Sequence, residues 1–322
     1  MHPILKAAAI FSIGAACCVA HAQTTYPTKA VRLLVPFPPG GGTDYTARLI
    51  AQRLSEMWGQ PLIVENRPGA STTIASEIVA KAVPDGYTLI MGSTNHTINP
   101  SLYTRIPYDT VKDFAPVTVA ATASYVLVVH PSLPARTVKE LIALAKVRKG
   151  EINYSSSGSS GPQHIAGELF KLMAKVDLTH VPYKGGGPAV VALLGGHVQA
   201  MFSTPVSGLP HVKTGKLRAL GVTSLKRFDA IPEVPTISEA ALPGYEAVTW
   251  WGILAPARTP RDIVNRIHGD VVKVLQMPDT KEKLAKEALN PGGNTPEQFS
   301  AMLQDEMVKM AKIVKAANMK VD

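Results

Sequence analysis

Short apolar runs rich in β-branched residues alternate along the chain with longer stretches in which apolar positions recur at helical spacing. The short runs predict buried strands, and the longer stretches predict amphipathic helices. In the first half, the predicted elements are Val31–Pro36, Thr43 or Asp44 to Trp58, Leu62–Glu65, Thr72–Lys81 and Thr88–Gly92. A Pro/Gly run at Pro38–Gly42 breaks the first strand, and Thr43 or Asp44 is the expected cap of the first helix.

The middle of the chain repeats this order in a more compact form, without repeating the residues themselves. The predicted elements there are Val138–Lys149, Ile152–Ser155, Pro162–Lys175, Leu178–Val181, Ala189–Leu194 and Val198–Phe202. Alternating βα units form mainly parallel sheets with helices on both faces. The expected fold class is therefore α/β with two lobes. Each lobe would carry loops at the carboxyl ends of its strands, where open α/β sheets bind ligands.

Two apolar extended stretches, Tyr125–Val129 and Val248–Leu254, flank the second unit. If both cross between the lobes, the second lobe is an insertion into the first, and the two crossover segments form a hinge. Helices near Arg261–Gln276 and Pro296–Lys315 are then expected to pack on the first lobe. The predicted domains are a signal peptide at 1–22, lobe 1 at 23–123 and 247–322, and lobe 2 at 124–246.

The first residues have the pattern of a secretory signal peptide. Lys6 precedes an uninterrupted run of small and apolar residues, Ala7–Val19, and Ala20–Ala22 supplies the small residues for cleavage after Ala22. The apolar run is shorter than the roughly 20 residues that span a bilayer as a helix. A buried N-terminal helix is the alternative. The pattern predicts export from the cytoplasm.

Both cysteines, Cys17 and Cys18, lie inside that segment, so cleavage after Ala22 leaves a mature chain without cysteine. This excludes disulfides, thiol catalysis and cysteine-ligated metals from the mature protein. Gly14–Cys17 weakly resembles a lipoprotein acceptor site but lacks the usual Leu-like residue three positions before the cysteine. Whether Cys17 is ever lipidated stays open at this stage.

The chain has a formal net charge of +9 at pH 7. A basic excess can serve nucleic acid, an anionic surface or an anionic ligand. Lysine and arginine are dispersed over helical faces such as Arg136–Arg148 and Lys273–Lys286, and no basic stripe with interleaved aromatic residues occurs. We interpret the charge as solvated surface with mild attraction for anions, and expect no nucleic-acid partner.

Four small, polar or glycine-rich loops each precede a predicted helix. They are Pro36–Asp44, Asn66–Ser71, Ser155–His164 and Tyr183–Pro188. Glycine lets the backbone approach a ligand closely, and a helix start supplies unpaired N–H groups with partial positive charge. Such loops can hold a carboxylate or phosphate without a cationic side chain. The alternative, that they are only tight βα turns, stays open on these features alone.

Competing motifs do not fit. The glycine run has neither the Lys of a P-loop nor the third glycine of a dinucleotide fingerprint. Several serines near His164 suggest a nucleophile, but the G-x-S-x-G elbow is missing, and capping or ligand-binding hydroxyls explain them more simply. The histidines lack metal-ligand spacing, so we expect neither a metal nor a cofactor. Asp44 and Arg48, one helical turn apart, are expected to pair with each other.

Motifs along essentially the whole mature chain resemble the Bug family, the TctC-like substrate-binding proteins of tripartite tricarboxylate transporters. The residues that carry the resemblance are Tyr26-Pro27, Val31–Asp44, Val64–Ala70, Pro84–Leu89, Asp113–Val117, Val181–Gly185 and Pro235-Thr236. This many motifs in order are specific for the family and not for its ligand.

The resemblance implies a type II periplasmic-binding-protein fold that captures a small carboxylate in the cleft between its lobes. It implies a non-enzymatic protein in the periplasm, monomeric by default, that delivers its ligand to membrane transporter subunits. The contacts it implies in lobe 1 are Phe37, Gly41, Thr43, Asp44, Ser93, Thr94 and Asn95. Those in lobe 2 are Ser157, Gly158, Gln163, His164, Tyr183 and Gly185.

One departure from the family pattern follows the strand that ends at Phe202. Many relatives carry an acidic residue there, whereas this chain has Ser203 and Thr204, which disfavours a ligand with an amino group. Mono- and dicarboxylates, keto acids and aromatic carboxylates stay open as ligands. A ligand-dependent sensor component and an enzyme acting on a small carboxylate are the alternative functions.

Overall fold

A computed structural model of the chain describes residues 26–159 and 161–319. The predicted signal peptide, with both cysteines, lies outside the described residues. The strands are β1 (Val31–Val35), β2 (Leu62–Asn66), β3 (Thr88–Ser93), β4 (Phe114–Ser124), β5 (Val126–Val129), β6 (Asn153–Ser156), β7 (Thr179–Pro182), β8 (Ala200–Ser203), β9 (Arg218–Val222), β10 (Val248–Pro256) and β11 (Asn290–Pro291).

The helices surround these strands in both halves of the chain. They are α1 (Gly42–Trp58), α2 (Thr73–Ala80), α3 (Asn95–Leu102), α4 (Val138–Val147), α5 (Pro162–Ala174), α6 (Gly186–Leu194), α7 (Pro205–Lys213), α8 (Ile237–Ala240), α9 (Arg261–Gln276), α10 (Pro278–Lys286) and α11 (Pro296–Ala316). A 3₁₀ turn at Ala70–Thr72 precedes α2.

The strands form two separate sheets, one in each lobe. The sheet of lobe 1 has the order β11-β4-β10-β3-β1-β2, and that of lobe 2 the order β7-β6-β8-β5-β9. In lobe 1, β1 pairs in parallel with β2 and β3, whereas β10 pairs antiparallel with β3 and β4. In lobe 2, β6 pairs in parallel with β7 and β8, whereas β5 pairs antiparallel with β8 and β9.

The two-lobed α/β architecture agrees with the sequence prediction, but both sheets are mixed rather than mainly parallel. Among the named strands of the described residues, parallel pairing is confined to the three-strand βα unit of each lobe. The strands next to the crossovers, β4, β5, β9 and β10, join the sheets in antiparallel pairings. A strand that enters a sheet directly from the other lobe has no crossover helix to reverse its direction, so parallel pairing is not imposed on it.

Apolar side chains pack on both faces of each sheet. In lobe 1, Leu33 faces a core that includes Val271 of α9, and its neighbour Leu34 faces a second core with Phe299 of α11. In lobe 2, Leu127 packs in a core with Phe170 of α5, and Val128 packs on the opposite face. Burial on both faces explains why these strands are continuous apolar runs rather than alternating ones.

The two crossovers are tied together by one threonine that follows β9. The N–H of Tyr125, between β4 and β5, donates to Thr223 Oγ1 at 2.7 Å, and the Thr223 N–H donates to the Tyr125 carbonyl at 2.9 Å. Thr223 also bonds the chain as it returns: its Oγ1 donates to the Ala247 carbonyl at 2.6 Å. Both connections between the lobes therefore run side by side as a double hinge.

Two helices begin earlier than predicted. α1 begins at Gly42, because Gly41 takes the extended N-cap conformation (φ −97°, ψ 172°), and neither Thr43 nor Asp44 caps it. α6 begins at Gly186 rather than Ala189, so Pro188 falls in its first turn. Proline is tolerated there, because the first four N–H groups of a helix have no partner within the helix.

Residues 26–159 and 161–319 contain no helix that combines the length and the hydropathy needed to cross a membrane.

Truncation of Phe299 to alanine tests the packing of α11 on the lobe 1 sheet. Phe299 is fully buried, and its ring meets that of Trp250 edge-on, with centroids 5.3 Å apart. The lost contacts and the cavity should lower the free energy of unfolding by about 3–5 kcal/mol, measured by urea denaturation. Val308 on the same helix is 57% exposed, and Val308→Ala should change the stability by less than about 0.5 kcal/mol. Equal effects of the two substitutions would contradict this packing.

Candidate functional site

A cavity of about 40 Å³ lies between the two lobes. A water-sized sphere needs about 10–15 Å³, so the space suits roughly three heavy atoms, the size of a carboxylate group. Its lining is Phe37, Pro38, Gly41, Gly42, Thr43, Ser93, Asn95, Tyr125, Ser157, Pro162, Gln163, Gly186, Thr204, Thr249 and Trp251. Residues of lobe 1, lobe 2 and the hinge therefore all contribute to one site.

On the lobe 1 side, the cavity is bordered by the starts of α1 and α3. Gly41 is the N-cap of α1, Gly42 and Thr43 are its first residues, and Asn95 is the first residue of α3. Gly42 can only be glycine here, since a Cβ on it would lie 2.6 Å from Cζ2 of Trp251. The indole of Trp251 thus packs directly against the first turn of α1 and forms one wall of the site.

On the lobe 2 side, three more helices begin at the cavity. Pro162 and Gln163 open α5, Gly186 opens α6, and Thr204 is the N-cap of α7. The Gln163 side chain is fixed, because its Oε1 accepts the Ser157 N–H at 2.7 Å. The side-chain amide nitrogen of Gln163 stays free of that bond and can donate to a ligand.

The electrostatics of the cavity come from the backbone. None of the lining residues named above carries a charge at neutral pH, and five helix starts converge on the space. Each helix start presents unpaired N–H groups and a partial positive charge. This arrangement favours a negative group and offers no carboxylate to neutralise a cation.

The two lobes touch across the cleft through glycines. A Cβ on Gly185 of lobe 2 would lie 2.9 Å from Cδ of Pro38 in lobe 1, and one on Gly158 would lie 3.7 Å from Oγ of Ser71. Gly185 also has φ +117°, which side-chain-bearing residues rarely adopt. The cleft is therefore closed in this conformation, and bare backbone at Gly185 permits that closure.

The predicted site residues fall into two groups. Eight of them line the cavity: Phe37, Gly41, Thr43, Ser93, Asn95, Ser157, Gln163 and Thr204. Seven of them do not: Asp44, Thr94, Gly158, His164, Tyr183, Gly185 and Ser203. Most of the second group support the loops or the lobe contact instead of facing the cavity.

Asp44 is held away from the cavity by three partners. Its carboxylate accepts hydrogen bonds from Arg48 Nε and Asn66 Nδ2 and reaches back to the Gly40 N–H. The Asn66 amide also donates to the Phe37 carbonyl at 2.9 Å, so the network clamps the loop before α1 to the end of β2. Burial would raise the pKa of Asp44, but these bonds outweigh it and lower the pKa. The predicted pairing of Asp44 with Arg48 is present.

Thr94, Ser203 and Tyr183 also have other contacts. Thr94 Oγ1 accepts the Trp250 N–H at 3.2 Å and lies 3.2 Å from Thr249 Oγ1, which fixes β10 beside α3. Ser203 Oγ donates to the carbonyl of Thr204. Tyr183 packs against an apolar core of lobe 2.

His164 belongs to a partly buried cluster behind the start of α5. Its ring stacks on that of His180 with centroids 3.7 Å apart, and its Nε2 lies 3.6 Å from Glu168 Oε1. Ser156 Oγ lies 2.6 Å from His180 Nε2, which resembles the pairing of a nucleophile with its base. Ser156 is completely buried and also bonds the Gly158 carbonyl, so its hydroxyl supports the loop and is out of reach of a substrate.

The cavity residues missed by the sequence prediction are Pro38, Gly42, Tyr125, Pro162, Gly186, Thr249 and Trp251. Pro38, Gly42, Pro162 and Gly186 lie in loops that the sequence singled out, one position from predicted contacts. Tyr125, Thr249 and Trp251 come from the crossovers, and only the pairing of β10 with β3 and β4 brings them to the loops.

A two-lobed α/β fold with a closed cleft between double-hinged lobes defines a solute-binding protein of the periplasmic-binding-protein class. The model of the tripartite tricarboxylate transporter family receptor matches residues 46–319. The chain belongs to this family, and the resemblance predicted from its motifs is confirmed. It is a periplasmic receptor of a transporter and not an enzyme.

Individual relatives match over nearly the whole chain. Protein BugT of Bordetella pertussis is 35% identical over 322 residues, with 99% of each chain covered. Rpa4515 of R. palustris, solved with adipate, superposes with a TM-score of 0.89 at 38% identity, over 92% of this chain and 100% of that one. MatC of Rhodopseudomonas palustris, solved with bound malate, superposes with a TM-score of 0.85 at 31% identity, over 90% of this chain and 100% of that one.

The histidine cluster predicts a pH-dependent stability. Burial, aided by the charge of His164, lowers the pKa of His180 to about 3. An unfolded histidine has a pKa near 6.5, so between these values the unfolded chain binds more protons and stability falls as pH falls. As the pH falls from 6.5 to 5, His180 should lower the free energy of unfolding by up to about 1.4 kcal/mol per pH unit, measured by urea denaturation.

His180→Gln should reduce the pH slope of stability by up to about 1.4 kcal/mol per pH unit, while the contribution of His96, whose pKa burial lowers to about 4, remains. His130→Gln serves as the control, because His130 lies at the end of β5, away from the cluster. The same slope in His180→Gln and in the unmodified protein would refute a neutral His180 in the folded state.

Proposed function

We propose that this protein captures a small carboxylate in the interlobe cleft, with one carboxylate group in the cavity, and presents the closed, loaded form to a membrane transporter. The observation that carries the proposal is the convergence of five helix starts, from both lobes, on a space without a charged side chain. Backbone dipoles in that arrangement favour an anion over a neutral or cationic solute. The adipate and malate in the two solved relatives are both carboxylates, which agrees with it.

The lining also limits the chemistry of the ligand. Thr204 reaches the cavity after β8 and none of the lining residues is acidic, so an ammonium group on the ligand would have no counter-charge. Phe37, Trp251 and Tyr125 supply apolar or aromatic surface beside the polar groups. We infer a carboxylate without an amino group, held by Thr43, Asn95, Ser157 and Gln163 together with backbone amides.

Closure would then be a population shift. A ligand that first binds one lobe stabilises the closed form only through the contacts it gains from the other lobe. The start of α1 in lobe 1 and the starts of α5, α6 and α7 in lobe 2 supply those two sets of contacts. In this proposal the protein acts as a monomer, reaches the periplasm through a signal peptide cleaved after Ala22, and leaves energy coupling to the transporter.

A thermal-shift panel of mono-, di-, keto and aromatic carboxylates tests the function, with adipate and its neutral isostere adipamide as a matched pair. A ligand present at about 100 times its Kd should stabilise the protein by about 2.7 kcal/mol. Adipamide should not stabilise it, and mass spectrometry should recover every stabilising ligand unchanged. Equal stabilisation by adipamide, or consumption of a stabilising ligand, would overturn the proposal.

Gln163→Glu tests the site with an almost isosteric change. The new oxygen can still accept the Ser157 N–H, but a carboxylate now stands in the anion cavity. Like charges placed together cost several kcal/mol, so the affinity for the best carboxylate of the panel should fall by roughly 100-fold or more in calorimetric titration.

Gln298→Glu is the matched control. Gln298 also lies in the first turn of a helix, where its Oε1 accepts the Thr295 N–H, but it is remote from the cavity. It should leave the affinity unchanged. Retained affinity in Gln163→Glu, or equal losses in both variants, would place the ligand elsewhere.

A further inference from the structure

A second cavity, of about 160 Å³, lies on the opposite face of β10 from the carboxylate cavity. Successive residues of a strand point to opposite faces. Thr249 and Trp251 line the carboxylate cavity, whereas Val248 and Trp250 line the second one. The two spaces are therefore separated by the hinge strand itself.

The walls of the second cavity come from both lobes and are largely apolar. Lobe 2 contributes Ile165 and Leu169 of α5 to the lining, and lobe 1 contributes Met302, Met310 and Ile313 of α11. An apolar cavity of about 150 Å³ in another protein binds benzene, so this space suits a molecule of that size. Because the walls belong to different lobes, an occupant would contact both of them in the closed conformation.

One carboxylate interrupts the apolar wall. Glu306 Oε2 accepts hydrogen bonds from Trp250 Nε1 at 2.5 Å and Thr97 Oγ1 at 2.8 Å, and both donors are neutral. Within the described residues Glu306 forms no ion pair, and the nearby Lys309 is exposed to solvent. Burial raises the pKa of Glu306 more than those two bonds lower it. The carboxylate is therefore held in place by neutral donors, and the charge of Lys309 acts on it only from nearby, without an ion pair between them among the described residues.

We propose that the second cavity is a binding site for a small organic amine with an apolar body of about benzene size, its ammonium group beside Glu306. The apolar walls would desolvate the body, and the ammonium would give Glu306 the charge-assisted hydrogen bond that its neutral donors do not supply. Glu246 and Lys309 also border the cavity with opposite charges, so the negative charge of Glu306 sets the net sign of the site. The proposal is independent of the identity of the carboxylate in the cleft.

Titration of the full protein carrying ¹³C-methyl methionine with benzylamine tests this site. The methyl signals of Met302 and Met310, both at the cavity, should shift saturably, and that of Met91 in the lobe 1 core should not. Benzyl alcohol, uncharged and of the same size, should bind about tenfold or more weakly, because it lacks the charged hydrogen bond. Benzoate at the same concentrations should shift neither cavity signal.

Glu306→Gln keeps an acceptor for Trp250 and Thr97 but removes the charge. It should abolish the preference for benzylamine over benzyl alcohol, while Leu169→Trp, which fills the cavity from α5, should weaken the binding of both. The dispersion of the methionine signals shows whether each variant is folded. Absence of saturable shifts at Met302 and Met310, or an unchanged preference for benzylamine in Glu306→Gln, would overturn the proposal. If Glu306→Gln does not fold, Leu169→Trp is the deciding variant, and unweakened binding of benzylamine to it would overturn the proposal.

Discussion

The structure depends on unpaired backbone N–H groups at helix starts that need an acceptor. A helix cannot pair its own first four N–H donors, and here the starts of five helices from two lobes face one cavity. Within a single lobe, water can accept hydrogen bonds from these donors. Between closed lobes water is largely excluded, so a negative group becomes the most favourable partner. Ligand capture and lobe closure thus have one physical cause.

Several features at and around the helix starts keep that geometry intact. Asp44, with Arg48 and Asn66, anchors the loop before α1, and Gln163 anchors the loop before α5. Gly42 leaves room for the Trp251 indole, and Gly185 lets the lobes meet. Charged groups are used to hold the loops, whereas the cavity itself contains only neutral ones. This separation keeps the field of the cavity positive without giving the ligand a fixed ion-pair partner.

The hinge strand β10 connects two different environments. Its alternate residues form a wall of the polar cavity on one face and of an apolar cavity on the other. Thr223 joins both crossovers by hydrogen bonds, so the two connections move together. Any rotation of the lobes must therefore change both spaces at once, because each has walls from both lobes. Rotation of the lobes therefore links the apolar cavity on one face of β10 to the carboxylate cavity on the other.

The sequence by itself determined the βα unit of each lobe, the two-lobed plan, the family and the loops that border the cavity. These depend on local periodicity, on glycine and proline positions and on short motifs, all of which are encoded within a few residues. Only the tertiary structure decided that the sheets are mixed, that Asp44 and His164 turn away, and that Tyr125, Thr249 and Trp251 reach the site. Which way a side chain points depends on pairing and packing between segments far apart in the chain, such as Trp251, which pairs with Ser93 and packs against Gly42. Local sequence patterns contain no record of that pairing.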